Sequence, residues 1–138
     1  MTNFTHNVKS AFLPNAKELG FVLVEEQKSE AFGDALVVLQ SGDFRLRIVR
    51  DRSQIFADLG SVTEPETWFD STIVMQALGL TTQHLFGGTD PQSVLPSIAA
   101  FLKSFWSELI TMFDPRHFAA TKARLTGLQD ARAAKRWG

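Results

Sequence analysis

Three apolar-rich runs, residues 34–40, 44–50 and 54–60, follow one another with only short polar turns between them. That spacing constrains the fold more than any other feature of the chain. Reading Ser41-Gly42 as a hairpin loop sets Leu39 opposite Phe44, Val37 opposite Leu46 and Ala35 opposite Ile48. Reading Asp51-Arg52 as the next loop sets Ile48 opposite Ile55, Leu46 opposite Ala57 and Phe44 opposite Leu59. Both registers send apolar residues to one face, and a slip of one residue would scatter them to the other. The pattern predicts an antiparallel meander. On its second face this register sets Arg45 opposite Asp58 and Arg47 opposite Phe56, with Leu36 and Val38 beside them. Asp51-Arg52 lacks the Asn-Gly or Asp-Gly chemistry that tight hairpins favour, so that loop is either these two residues or longer.

The flanks complete an α+β plan in one domain, residues 1–138. Residues 21–27 (Phe-Val-Leu-Val at the start) read as a fourth strand ahead of the other three. Residues 3–19 place Phe4, Val8, Phe12, Ala16 and Leu19 on one helical face, with Pro14 as a break or kink and Gly20 as a stop. After the sheet, Thr63-Glu64-Pro65-Glu66 has the spacing of a capping box and predicts a helix to Leu78, ended by Gly79. Residues 81–86 read as neither helix nor strand. Asp90-Pro91 opens a helix to residue 113 whose apolar stripe includes Val94, Leu95, Ile98, Leu102, Phe105, Trp106, Leu109, Ile110 and Phe113. So broad a stripe fits either a central core helix or one that also packs on a second copy in a homodimer. Asp114-Pro115 breaks the chain before a last helix over residues 116–136, anchored by Phe118, Leu125 and Leu128 and weakened by Gly127.

Much chemistry is excluded by composition. With Cys and Tyr both at 0, the chain holds no disulfide, thiolate metal site, cysteine nucleophile or phenolic acid. His6, His84 and His117 are far apart and form no metal-binding spacing. Neither a phosphate-binding glycine motif nor a nucleophile elbow occurs. Gly87-Gly88-Thr89 reads as a turn rather than an anion cradle, and Glu25-Glu26 on a strand point to opposite faces. The expectation is a non-enzymatic protein with no cofactor and no metal. A catalytic site would need a pocket holding His84 or His117 beside a carboxylate. Residues 1–10 lack an apolar signal region, and Lys103, Ser104, Ser107 and Glu108 interrupt the apolar stretch over 94–113. A soluble cytoplasmic protein, with no membrane partner, is the expectation.

Charge is unevenly spread. Residues 116–138 hold Arg116, Lys122, Arg124, Arg132, Lys135 and Arg136 against Asp130, a balance of +5, which leaves 8 basic and 14 acidic residues, or −6, in residues 1–115. The basic end reads either as a nucleic-acid contact or as a terminal helix whose cations suit the negative end of its dipole. Trp137, beside Lys135 and Arg136, is either a docked tail or an exposed contact. The densest charge elsewhere lies in residues 42–53. Arg45, Arg47, Phe56 and Asp58 are the candidate partner-binding residues, with Trp68 as an aromatic neighbour. The alternative is a solvated strand face with cross-strand ion pairs such as Arg45–Asp58.

The run from Leu19-Gly20-Phe21 through Phe32-Gly33 and residues 41–52 to Asp58-Leu59-Gly60 and Trp68 resembles a recurrent type of small bacterial cytoplasmic protein, some of which are similar in build to the immunity partners of polymorphic toxins. The likeness spans about residues 15–80 and carries no catalytic motif. It implies a protein partner, bound by occlusion of a basic site under an acidic surface, with association speeded by opposite charge. The alternative function is nucleic-acid association through the basic C-terminal helix.

Overall fold

The computed structural model describes residues 4–29, 34–80 and 88–137. Its centre is an antiparallel sheet of five strands in the order β1-β2-β3-β4-β5: Val22–Ser29, Asp34–Ser41, Phe44–Asp51, Gln54–Ser61 and Trp68–Asp70. The meander is as expected, and the inward set is Ala35, Val37, Leu39, Phe44, Leu46, Ile48, Ile55, Ala57 and Leu59, all buried. The cross-strand partners are shifted by two residues. Leu39 pairs with Leu46 and Val37 with Ile48, while Ile48 pairs with Ala57 and Leu46 with Leu59.

Turn chemistry explains the shift. The first loop is Gly42-Asp43, with Gly42 at φ +59°, the left-handed first position that a type II′ turn reserves for glycine. The second is Arg52-Ser53, with φ of +51° and +72° at both positions, the type I′ geometry without its usual residues. An even shift keeps every side chain on its face, which is why the pattern alone was blind to it.

The fifth strand and the helix after it correct the capping-box reading. Trp68 and Phe69 suit a strand, and Phe69 joins the core opposite Leu59. Asp70 then caps α2 (Ser71–Ala77): one carboxylate oxygen accepts from the Ile73 N–H at 3.0 Å and from the Thr72 hydroxyl. Gly79 ends that segment at φ +80° as expected.

The N-terminal helix is not continuous. Phe4–Asn7 (α1) runs into a wide π turn, Val8–Phe12, and Pro14–Leu19 is a separate 3-10 helix, as Pro14 forces, with Gly20 at φ +75°. The expected helix over 91–113 is also two: α3 (Pro91–Ser104), with Asp90 and Pro91 as cap and first residue, and α4 (Trp106–Met112). They part at Phe105, and Trp106 then packs edge-on against Phe21 and Phe44, with ring centroids 5.5 and 5.4 Å away. The last helix, α5, is Phe118–Trp137.

All these helices bury side chains in one core with the inward face of the sheet. That core already takes Val94, Leu95, Ile98, Leu102, Leu109 and Phe113 from the broad stripe, while Ile110 is exposed. Among the described residues no helix is long and apolar enough to cross a membrane.

The charge asymmetry is used inside the chain. Lys122 Nζ lies 2.7 Å from Glu64, Arg132 is 3.6 Å from Asp70 and donates to Thr72 at 3.1 Å, and Arg124 donates to the Ala77 carbonyl at the end of α2. The cations of the positive helix meet the acidic body around its buried anchors, Phe118 and Leu125.

Candidate functional site

The second face of the sheet stands apart from that core. Val38 makes the point: it is 1% exposed, yet it is outside the single core cluster. Rows of side chains cross this face in register. One runs Gln40, Arg45, Gly60, Trp68, and the next runs Glu25, Val38, Arg47, Asp58, Asp70.

Gly60 decides how the two rows meet. A Cβ there would lie 3.0 Å from the Thr67 carbonyl and 3.1 Å from Trp68 Cε3. The missing side chain lets the Trp68 ring rest close over β4 on its way to β3. There the guanidinium carbons of Arg45 and Arg47 sit 5.2 and 4.8 Å from the ring centroid, so one indole backs two cations. Arg45 also donates to the Pro65 carbonyl at 2.6 Å, which fixes its direction. Glu25, Gln27, Leu36, Val38, Pro65 and Glu66 complete a groove of about 460 Å³ around this pair.

Asp58 belongs to Arg47, not to Arg45. Arg47 donates to Asp58 Oδ2 from Nε at 3.0 Å and from a terminal nitrogen at 2.8 Å. The expected Arg45–Asp58 pair fails because of the two-residue register shift, which sets Arg45 opposite Gly60. Burial pushes the Asp58 pKa above the ordinary aspartate value, and Asp70 across the strand adds to the rise. The Arg47 hydrogen bonds and charge only partly oppose it. Glu64 runs the other way: a hydrogen bond from Lys122 at 2.7 Å holds its carboxyl below its usual range.

These signs make a test. A raised pKa means that Asp58 favours the folded state most below 3.8, and that this contribution is lost as pH rises through the folded value. Asp58→Asn removes that one dependence and leaves the other carboxylates in place. The stability of the variant relative to the parent is expected to rise between acid below 3.8 and neutrality, measured as paired urea midpoints. A constant difference across that window contradicts the assignment.

Of the four predicted residues, Arg45 and Arg47 line the groove and Asp58 orients Arg47. Phe56 is opposite Val49 and 40% exposed, outside the groove lining. The predicted neighbour Trp68 is central instead of peripheral. Leu36 and Val38 lie beside the arginines as expected, whereas the parts played by Gly60 and Pro65 are new. For Gly60 the signal was present: a glycine inside a strand without a turn marks close approach of another group.

The two described histidines, His6 and His117, build no site. His6 is exposed. His117 is exposed, and Asp114 Oδ1 accepts from its backbone N–H at 2.8 Å and lies 2.9 Å from its Nδ1. His84 and Gly87 lie outside the described residues, as do Phe32 and Gly33, and the Trp137 side chain is likewise not described. Among the described residues no cluster of His, Asp and Glu is arranged to hold a metal ion.

No family model, curated protein or solved structure matches this chain.

Proposed function

We propose that this chain is a protein-binding module that uses the second face of its sheet, in the manner of an immunity-type partner that occludes a toxin domain. The observation that carries the reading is the groove around Trp68. It joins two arginines held over one indole, an apolar floor at Val38 and a rim of charge on a sheet face that the core does not use. Anchors at protein interfaces favour Trp and Arg in this kind of setting. The exposed Phe56 extends the same face. The toxin partner rests on the resemblance and on the balance of −6 in residues 1–115, which suits steering toward a basic surface. The contacts of Lys122, Arg124 and Arg132 within the chain favour a structural role for the C-terminal helix.

The test compares capture from host lysate by the parent, by Arg45→Glu and by Lys103→Glu. Arg45 makes no ion pair among the described residues, so its reversal leaves no carboxylate stranded, whereas Lys103 pairs with Glu18 away from the groove. The expected result is a nuclease-resistant protein retained by the parent and by Lys103→Glu. Its retention falls about tenfold or more with a folded Arg45→Glu chain. Equal capture by Arg45→Glu overturns the assignment of the face. Nuclease-sensitive capture replaces it with the nucleic-acid reading.

A further inference from the structure

We propose that Arg45 and Arg47 together seat a single carboxylate carried by an extended segment of the partner protein. The inference rests on the protein-binding reading above and names the chemistry of its anchor. Each guanidinium has five N–H donors in a fixed plane. One terminal nitrogen of Arg45 is committed to Pro65 at 2.6 Å, and among the described residues its charge meets no carboxylate. Arg47 directs Nε and one terminal nitrogen to a single oxygen of Asp58, and its other terminal nitrogen makes no hydrogen bond among the described residues. Both guanidinium carbons lie over the Trp68 ring, 5.2 and 4.8 Å from its centroid, and the N–H groups not committed to Pro65 or Asp58 remain for a planar, bidentate acceptor. Both side chains are already held by the ring and by Pro65 or Asp58, so a ligand meets donors whose ordering cost is largely met.

The rim selects the source of the carboxylate. Glu25 and Glu66 line the same groove, and their charge opposes any ligand with repeated anions. A nucleic acid carries a phosphate on every nucleotide and meets that repulsion along its length. A polypeptide can set one acidic side chain between neutral or basic neighbours, which matches two central cations between two acidic edges.

The experiment uses the full chain and two end-capped peptides of Thr and Val that differ at one central residue, Glu or Gln. Binding is followed on the Nε–H signals of Arg45 and Arg47 and the indole N–H of Trp68. The Glu peptide is expected to bind about tenfold more tightly than the Gln peptide. That preference should vanish in Arg45→Gln and grow in Glu25→Gln and Glu66→Gln, a gain that a merely structural role for the rim would not produce. Equal binding of both peptides at Trp68 overturns the carboxylate seat and keeps the face as a protein site. No shift of these signals with either peptide also overturns the seat, and the capture comparison with Arg45→Glu then decides the face separately.

Discussion

Phe44→Ala is expected to destabilise the protein by about 3–5 kcal/mol. Phe44 is 1% exposed and stands where β3 meets Phe21, just ahead of β1, and the two ends of α4. Its ring meets those of Phe21, Trp106 and Phe113 edge-on, with centroids 6.1, 5.4 and 5.5 Å away. Truncation therefore removes transfer energy, leaves a cavity among rings that cannot all close on it, and ends three favourable quadrupole contacts. At this chain length each kcal/mol lowers the melting temperature by roughly 4 °C, so a fall on the order of 12–20 °C is expected by calorimetry. Phe56→Ala is the matched control. Its ring is 40% exposed on the other face, and its loss is expected to change stability by no more than about 0.5 kcal/mol. Comparable losses for the two variants contradict the division of the sheet into a core face and a free face.

That division is the part of the architecture most legible in the sequence, and the reason is parity. Burial of alternate residues writes itself into a strand as an alternation, and Phe44, Leu46 and Ile48 against Arg45, Arg47 and Val49 record it directly. Parity cannot distinguish registers that differ by two. Only the turns can, and here they deceive. Glycine in Ser41-Gly42-Asp43 fits a hairpin loop either as second or as first residue, and the structure uses it first. Arg52-Ser53 adopts left-handed geometry that neither residue advertises.

The same register shift exchanges the pairs within the expected site. The sequence register sets Arg45 opposite Asp58 and Arg47 opposite Phe56, with no carboxylate for Arg47. In the structure the roles are exchanged, which leaves Arg45 as the cation without a carboxylate. The fifth strand was hidden for a different reason. Three residues are too few for a periodic signal, and Thr63 and Glu66 offered a competing cap that the chain does not use. Asp70 wins that competition because it lies directly before the helix, where its carboxylate reaches Ile73 N–H at 3.0 Å. With the helix start misplaced, Trp68 fell on a predicted helix rather than on the sheet edge from which it reaches the arginines.

Gly60→Ala is expected to destabilise the chain by about 1–3 kcal/mol, although it replaces glycine by a residue better suited to a strand. Gly60 does not have a left-handed backbone, so the cost is one of space alone. The new Cβ would stand 3.0 Å from the Thr67 carbonyl and 3.1 Å from Trp68 Cε3, closer than most settled neighbours approach, so one of them must give by a few tenths of an ångström. Two responses follow from the geometry. The short β5 edge strand moves outward, or the ring lifts from β4 and loses its place beside Arg45 and Arg47. A double-mutant cycle separates them. Trp68→Ala removes the ring while leaving the Thr67 carbonyl where it is. If the ring carries the larger share of the clash, Gly60→Ala costs less in the Trp68→Ala background, and the two changes are non-additive by about 0.5 kcal/mol or more. Additive changes in urea midpoint assign the cost to the backbone contact instead. The indole N–H signal of Trp68 reports the other half of the argument. It is expected to shift in Gly60→Ala and to lose its dependence on Arg45, because the absent side chain at position 60 is what lets one ring serve both arginines.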